Sequence, residues 1–431
     1  MRRGIAVAVL ATAIAVSASA CGSSGNSGSG SGSAANAGPV TITWWDTSDA
    51  TNEAPTYKAL VAQFEQANPN IKVNYVNVPF ANAQAKFTTA ATAGKGAPDV
   101  LRSDVGWVAG FAQAGLLAPL DGTPASAEKS SFESQLIQQA TYQGKLYGMP
   151  EVTDTLALMY NKALFTKAGI TAAPKTWDEL KADSALVKQK DGVDGFAFNP
   201  ASYYAMPFLY GEGTDMVDLA SKKLEFNSAA AIKGITTLKA LTTAPGVSKL
   251  DTTPNGYANI MDAFENGKVA SIIQGPWETT NVFKGASFSD KTNLGIAVVP
   301  AGSAGKAGAP IGGHNLVAYA GSDAAHQAAS EKFIAFMTSA QSQITIATKN
   351  STLPTRSDAY TAAVTANPGI AGFQAVLSAG VPRPALAHYS DLYGPFGTEL
   401  TKMLTGQESI AQGMSNSTVQ AQKLLPDYAA Q

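Results

Sequence analysis

The chain has 431 residues, 45% of them hydrophobic and 14% charged, with 30 Lys and Arg against 32 Asp and Glu and a formal net charge of −2. That composition supports a large core under a lightly charged surface and excludes the basic footprint of nucleic-acid binding, so no nucleic acid is expected as a partner. A single cysteine, Cys21, excludes any disulfide within the chain, and no second apolar run approaches the 18 or more residues of a membrane span.

The chain opens Met1-Arg2-Arg3, continues as an Ala/Val/Leu/Ile run from Ile5 to Val16, and closes the segment with Ser17-Ala18-Ser19-Ala20-Cys21. Two arginines, an apolar run and small residues before a cleavage point make an export signal. The run falls short of the roughly 20 residues that cross a hydrocarbon core. A Cys directly after small residues has the form of a bacterial lipobox, with Ala18 at the position where Leu is usual. On this reading residues 1–20 are a lipoprotein signal peptide and the Cys21 thiol carries the lipid. Residues 22–38 are almost all Gly, Ser, Ala and Asn, a flexible tether. What remains is enough chain for two or three domains.

From Pro39 the pattern turns globular. Val40 to Trp45 is β-branched and alternating, a strand. Tyr57, Leu60, Val61 and Phe64 recur at helical spacing within 52–68. Ile71 to Val78 alternates as a second strand. A helix over 82–93, a short strand at Asp99-Val100-Leu101 and a helix over 105–114 follow. Further on, Thr155 to Tyr160 reads as a strand. Thr176-Trp177-Asp178-Glu179 is a capping box for a helix to about Lys190, with Trp177 expected in the core. Gly195 to Phe198 reads as a short strand. Ser228 caps a helix to about Thr243, and Tyr257 to Asn266 is another. Val269 to Ile273 and Leu294 to Val299 are strands, and the chain beyond Asp323 is mostly helical. Strands alternating with helices predict an α/β chain with mostly parallel sheets, helices on both faces.

Catalytic templates are missing: no G-x-S-x-G elbow, no Walker-type phosphate loop and no H-E-x-x-H. His314, His326 and His388 lack a Cys or His partner at ligand spacing, so neither a metal nor a cofactor is expected. What stands out is a set of polar and aromatic residues in stretches read as loops beside strands: Trp44-Trp45-Asp46, Arg102-Ser103-Asp104 with Trp107, Pro150 to Asp154, Gly275-Pro276-Trp277-Glu278, and Ile311-Gly312-Gly313-His314-Asn315. Ligands of open α/β sheets sit beyond the carboxyl ends of strands. Aromatic faces that cover the C–H face of a pyranose, with fixed carboxylates and Arg for its hydroxyls, are what a neutral sugar requires. Charge-assisted hydrogen bonds of that kind contribute about 1.5–3 kcal/mol each.

Several stretches carry a resemblance. Gly144 to Pro150, Leu158 to Lys162, Pro174 to Leu180, Phe264 to Lys268 with Gly275-Pro276-Trp277, and Leu353 to Arg356 resemble the extracellular solute-binding proteins of ATP-binding-cassette (ABC) sugar importers. Trp44 to Ser48 with Asn52 to Tyr57 is similar in particular to the actinobacterial maltose/maltodextrin-binding lipoproteins. The resemblance implies a two-lobed periplasmic-binding-protein type II fold with hinge strands and a central ligand cleft. It implies an N-lobe over 39–148 and 290–348 and a C-lobe over 149–289 and 349–431. Asp104, Asp154, Trp277, Gly313, His314 and Arg383 match cleft positions by motif, with Glu53 a further hydroxyl acceptor; Asp46 and Glu151 complete the candidate set. Val152 stands where the family often has an aromatic. The implied function is capture of maltose or maltooligosaccharide by a lipid-anchored monomer on the outer face of the cell membrane. The sugar then passes to the transmembrane subunits of an ABC permease, with no chemistry done on it. Trehalose or another oligosaccharide is the alternative ligand. A secreted glycoside hydrolase using Asp104 and Asp154 is the alternative class.

Overall fold

A computed structural model describes residues 38–430. The segment read as a signal peptide, Cys21 and nearly all of the Gly/Ser stretch lie outside the described residues. The first strand, β1 (Val40–Asp46), leads through helix α1 (Ala54–Ala67) to β2 (Ile71–Asn77), then through α2 (Phe80–Thr92) to β3 (Val100–Asp104) and α3 (Val108–Gln113). β1 runs parallel to both neighbours, with Val40 beside Ile71 and Trp44 beside Val100. The helical spacing is used as expected: Tyr57, Leu60, Val61 and Phe64 are the buried face of α1. They meet the sheet at Trp44, whose ring stands edge-on to Tyr57 at 5.8 Å and to Phe333 at 5.1 Å.

The sheet is not purely parallel. The strand Pro310–Ala318 joins it antiparallel to β3 and is itself paired antiparallel with Met149–Thr155, while Val381–Pro382 adds a parallel edge. A second sheet of three strands is wholly antiparallel, with Ala157–Asn161 between Ser271–Gln274 and Leu294–Ala297. The chain leaves the first sheet at Thr155 and enters the second at Ala157. It returns between Ala297 and Pro310. These two passages, 155–157 and 297–310, connect the two sheets.

Four expectations are corrected here. The sheets are mixed rather than mostly parallel. The stretches 150–154 and 311–315 are strand, not loop. Met149–Thr155 is buried at every position, so it has no alternation to reveal it. Gly195 to Phe198 makes only isolated bridges, Phe196 to Val247 and Ala197 to Ile272. Leu294–Ala297, which falls in the segment assigned to the N-lobe, pairs with Ala157–Asn161 in the second sheet. Elsewhere local chemistry holds. Thr176 caps Trp177–Asp191 by accepting from the Glu179 amide at 3.2 Å, and the Glu179 carboxylate reaches back to the Lys175 amide at 2.6 Å. Trp177 is core, stacked on Phe208 at 3.9 Å. Ser228 caps Ala229–Thr242. Among the described residues no helix is long and apolar enough to cross a membrane.

Candidate functional site

The carboxyl ends of β1, β2 and β3 open onto a cavity of about 1010 Å³, at the upper end of the roughly 300–1,000 Å³ usual for small-ligand sites. Its far wall comes from the other lobe: Tyr203 and Tyr204 from the helix Ser202–Gly211, Tyr257 from Gly256–Glu265, and Trp277 in the turn after Ser271–Gln274. The central strands 149–155 and 310–318 supply the floor between them.

Seven of the nine predicted site residues line this cavity: Glu53, Asp104, Asp154, Trp277, Gly313, His314 and Arg383. Asp104 ends β3, and its carboxylate takes the Arg383 guanidinium in two contacts of 3.0 and 3.2 Å. Arg383 also donates to the Ile311 carbonyl at 3.3 Å. Two residues after Asp104, Gly106 leaves room for this pair: a Cβ there would sit 2.1 Å from Ser390 Oγ. Asp154 projects from the floor with Oδ1 buried and without a partner among the described residues. Burial pushes its carboxyl up to about 7, with the nearby Arg383 charge acting against the rise. His314 has both ring nitrogens without a partner among the described residues, and burial holds it well below its ordinary range, so the ring is neutral. Burial likewise raises Glu53, which accepts the Asp49 amide at 3.1 Å. Gly313 is required by its backbone: φ is +121° and a Cβ would meet the Val152 carbonyl at 2.1 Å.

Two predicted residues do not reach the cavity. Asp46 is fully buried and is occupied by the Ser48 amide and hydroxyl and by the Tyr75 hydroxyl. Glu151 lies beneath the floor, where it accepts Arg102 Nε at 2.7 Å with both side chains almost wholly out of water. Burial works against the Arg102 charge, and Glu151 with the neighbouring acidic groups outweighs it, keeping the guanidinium protonated. The carboxylate at 151 therefore fixes Arg102, and it is Arg102 that edges the cavity.

The structure adds aromatics that the sequence did not single out: Phe80, Tyr203, Tyr204, Tyr257 and Tyr393. Trp107, already picked out beside Asp104, joins them, stacked under Phe80 at 5.0 Å with 27° between ring planes. Across the cavity, Trp277 Nε1 donates to the Tyr257 hydroxyl at 2.9 Å, which donates to Glu278 at 2.6 Å. Tyr203 lies 5.7 Å under the Arg383 guanidinium and 5.9 Å from Tyr393. Phe80 stands directly after Pro79 at the end of β2, a position of the same kind as the others and so open to detection. The adjacent tyrosines 203 and 204 sit inside a helix, where nothing local separates a ligand face from a core face.

Aromatic faces on both walls, carboxylates and a clamped arginine between them form a binding surface for a polyhydroxylated ligand. Comparison with known proteins agrees. The GacH receptor of Streptomyces glaucescens, crystallised unliganded and with acarbose and an acarbose homologue, is 41% identical, covers 91% of this chain and 100% of its own, and superposes with a TM-score of 0.86. Maltose-bound MalE3 of T. maritima is 26% identical, covers 90% of this chain and 100% of its own, with a TM-score of 0.82. A putative binding protein of Brucella abortus (strain 2308) is 31% identical over 286 residues, which are 64% of this chain and 66% of that protein, just under two thirds of its length. Residues 49–344 match the family of bacterial extracellular solute-binding proteins, and the chain belongs to that family.

Proposed function

We propose that the protein is the receptor of an ABC importer, binding maltose/maltodextrin-type oligosaccharides between its lobes and handing them to a permease. The observation that carries this is one cavity with aromatic faces on opposite walls and the Asp104–Arg383 pair and Asp154 between them. The similarity to GacH and to maltose-bound MalE3 supports the ligand class. A sugar touching both walls binds the closed form better than the open one and shifts the population by that difference alone. The lobe boundaries implied by the resemblance are part of this reading, with 294–297 paired into the second sheet and 149–155 and 381–382 paired into the first. A single chain suffices for the site. Lipidation of Cys21 would hold the receptor at the outer membrane face near its permease.

The protein binds the sugar without cleaving it. The sequence holds none of the catalytic templates, and both carboxylate oxygens of Asp104 are committed to Arg383. Calorimetric titration with maltose, maltotriose, trehalose and cellobiose tests the ligand: heat with the first two is expected, and none with either removes the proposal. Incubation with maltotriose should release no new reducing ends.

The raised Asp154 carboxyl also gives a pH dependence. In the unfolded chain it loses its proton near pH 4, while in the fold it keeps it to about pH 7. Its stability contribution therefore declines from pH 4 to 7 and is constant above. Sugar hydroxyls donating to Oδ1 favour the ionised form, so binding releases a proton and affinity rises with pH through 7. Titrations at pH 5.5, 7 and 8.5 should show tightening that Asp154→Asn abolishes. A flat profile in the unmodified protein, or the same slope in the variant, would remove Asp154 from the site.

A further inference from the structure

A second cavity, of about 450 Å³, shares no lining residue with the first. The helix Ser202–Gly211 reaches both: Tyr203 and Tyr204 near its start line the first, and Tyr210 near its end lines the second. Lys306, from the passage between the two sheets, and Val381, from the edge of the first sheet, line it as well. Its charge is uneven. Asp215, Asp218 and Glu225 stand against the single ammonium of Lys306. A concave surface dominated by one sign of charge concentrates ions of the other.

Two groups in this cavity have bonding capacity to spare. The Asp215 carboxylate takes the Met216 amide and the Tyr389 hydroxyl, both at 2.6 Å and both on Oδ1, so Oδ2 takes part in neither bond. Burial pushes this carboxyl up to about 6, with the two hydrogen bonds acting against the rise. Tyr210 is 6% exposed, and its hydroxyl is buried without a partner among the described residues. Buried hydroxyls are normally hydrogen-bonded, and both this oxygen and Asp215 Oδ2 can accept. Asp218 differs: its oxygens are taken by the Ala220 and Ser221 amides and the Ser221 hydroxyl, so it supplies charge. The apolar part of the wall is Val217, Val381 and Leu219, the last 48% exposed. A hydrocarbon chain lying on Leu219 would remove that area from water.

We propose that this cavity binds a small alkylammonium ion, with its N–H donors on Asp215 Oδ2 and the Tyr210 hydroxyl and its chain over Leu219, Val217 and Val381. The Tyr210 ring adds a face for the cation. The test is calorimetric titration of the full chain with butylammonium chloride, and with n-butanol and sodium butyrate as the neutral and anionic counterparts, at matched ionic strength. Butylammonium should bind saturably, n-butanol about tenfold more weakly or worse, and butyrate not at all. Asp215→Asn should weaken butylammonium about tenfold. Lys306→Met removes the one like charge and should tighten it about threefold. Lys306 is exposed, so circular dichroism of that variant should match the unmodified protein, and its result stands even where Asp215→Asn fails to fold. No saturable binding of butylammonium, equal affinity for n-butanol, or an affinity that Lys306→Met leaves unchanged overturns the site. Each of these outcomes is independent of the sugar titrations and leaves the receptor reading intact.

Discussion

Replacing Glu151 with Ala is expected to destabilise the protein by about 3–5 kcal/mol, the usual result of stripping one partner from a buried ion pair. Arg102 is 1% exposed, Glu151 is fully buried, and they meet at 2.7 Å. Without the carboxylate the guanidinium is left charged and almost out of water at the edge of the cavity. Its stacking partner Tyr57, 5.2 Å away, gives it only the ring quadrupole. Urea unfolding should show a lower midpoint at unchanged slope. The pair as such is weak evidence of net stabilisation, since two well-packed apolar residues can do as well. Glu151→Leu combined with Arg102→Met should therefore recover most of the loss. A single variant as stable as the unmodified chain would show that water reaches Arg102 and that the floor is not sealed.

The second large effect is on binding. Trp277→Ala should weaken maltotriose at least tenfold, about 1.4 kcal/mol, with melting shifted little. The indole is half-buried on the turn 276–278, packed against Gly275, where any Cβ would collide with it at 2.0 Å. It contributes twice: its own face to the sugar, and its Nε1 to the Tyr257 hydroxyl, which it helps to orient. Trp277→Phe keeps a ring and loses the donor, so it should fall between. Titration of both variants separates the contributions. Equal affinity in all three proteins would make Trp277 a packing residue.

Several features of the site were readable before any coordinates. Asp104 and Trp277 stand in stretches where a strand or turn signal ends in a charged or aromatic residue, and local pattern finds such positions; Arg383 came only with the family resemblance. Asp46 satisfies the same description and fails, because Ser48 and Tyr75 take up its oxygens. Glu151 fails for a related reason. In a strand, neighbouring side chains point to opposite faces, and pairing with 310–318 decides which face is the cavity. Reading 150–154 as loop removed that alternation, so Glu151 and Asp154 looked equivalent.

Neighbours a few residues apart were enough for the helical face of α1, the caps at Thr176 and Ser228, the first two strands, and the absence of catalytic motifs. The tertiary structure decided what depends on pairing across the chain. It placed Pro310–Ala318 between β3 and Met149–Thr155. It made the second sheet antiparallel and brought Phe80 and Tyr257, 177 positions apart by number, to one cavity. The reason is physical. A helix cap is closed by hydrogen bonds within one turn, so its residues carry the whole signal. A cleft is closed by packing between segments whose burial is set by partners elsewhere, and a side chain's exposure is not written in its own neighbourhood.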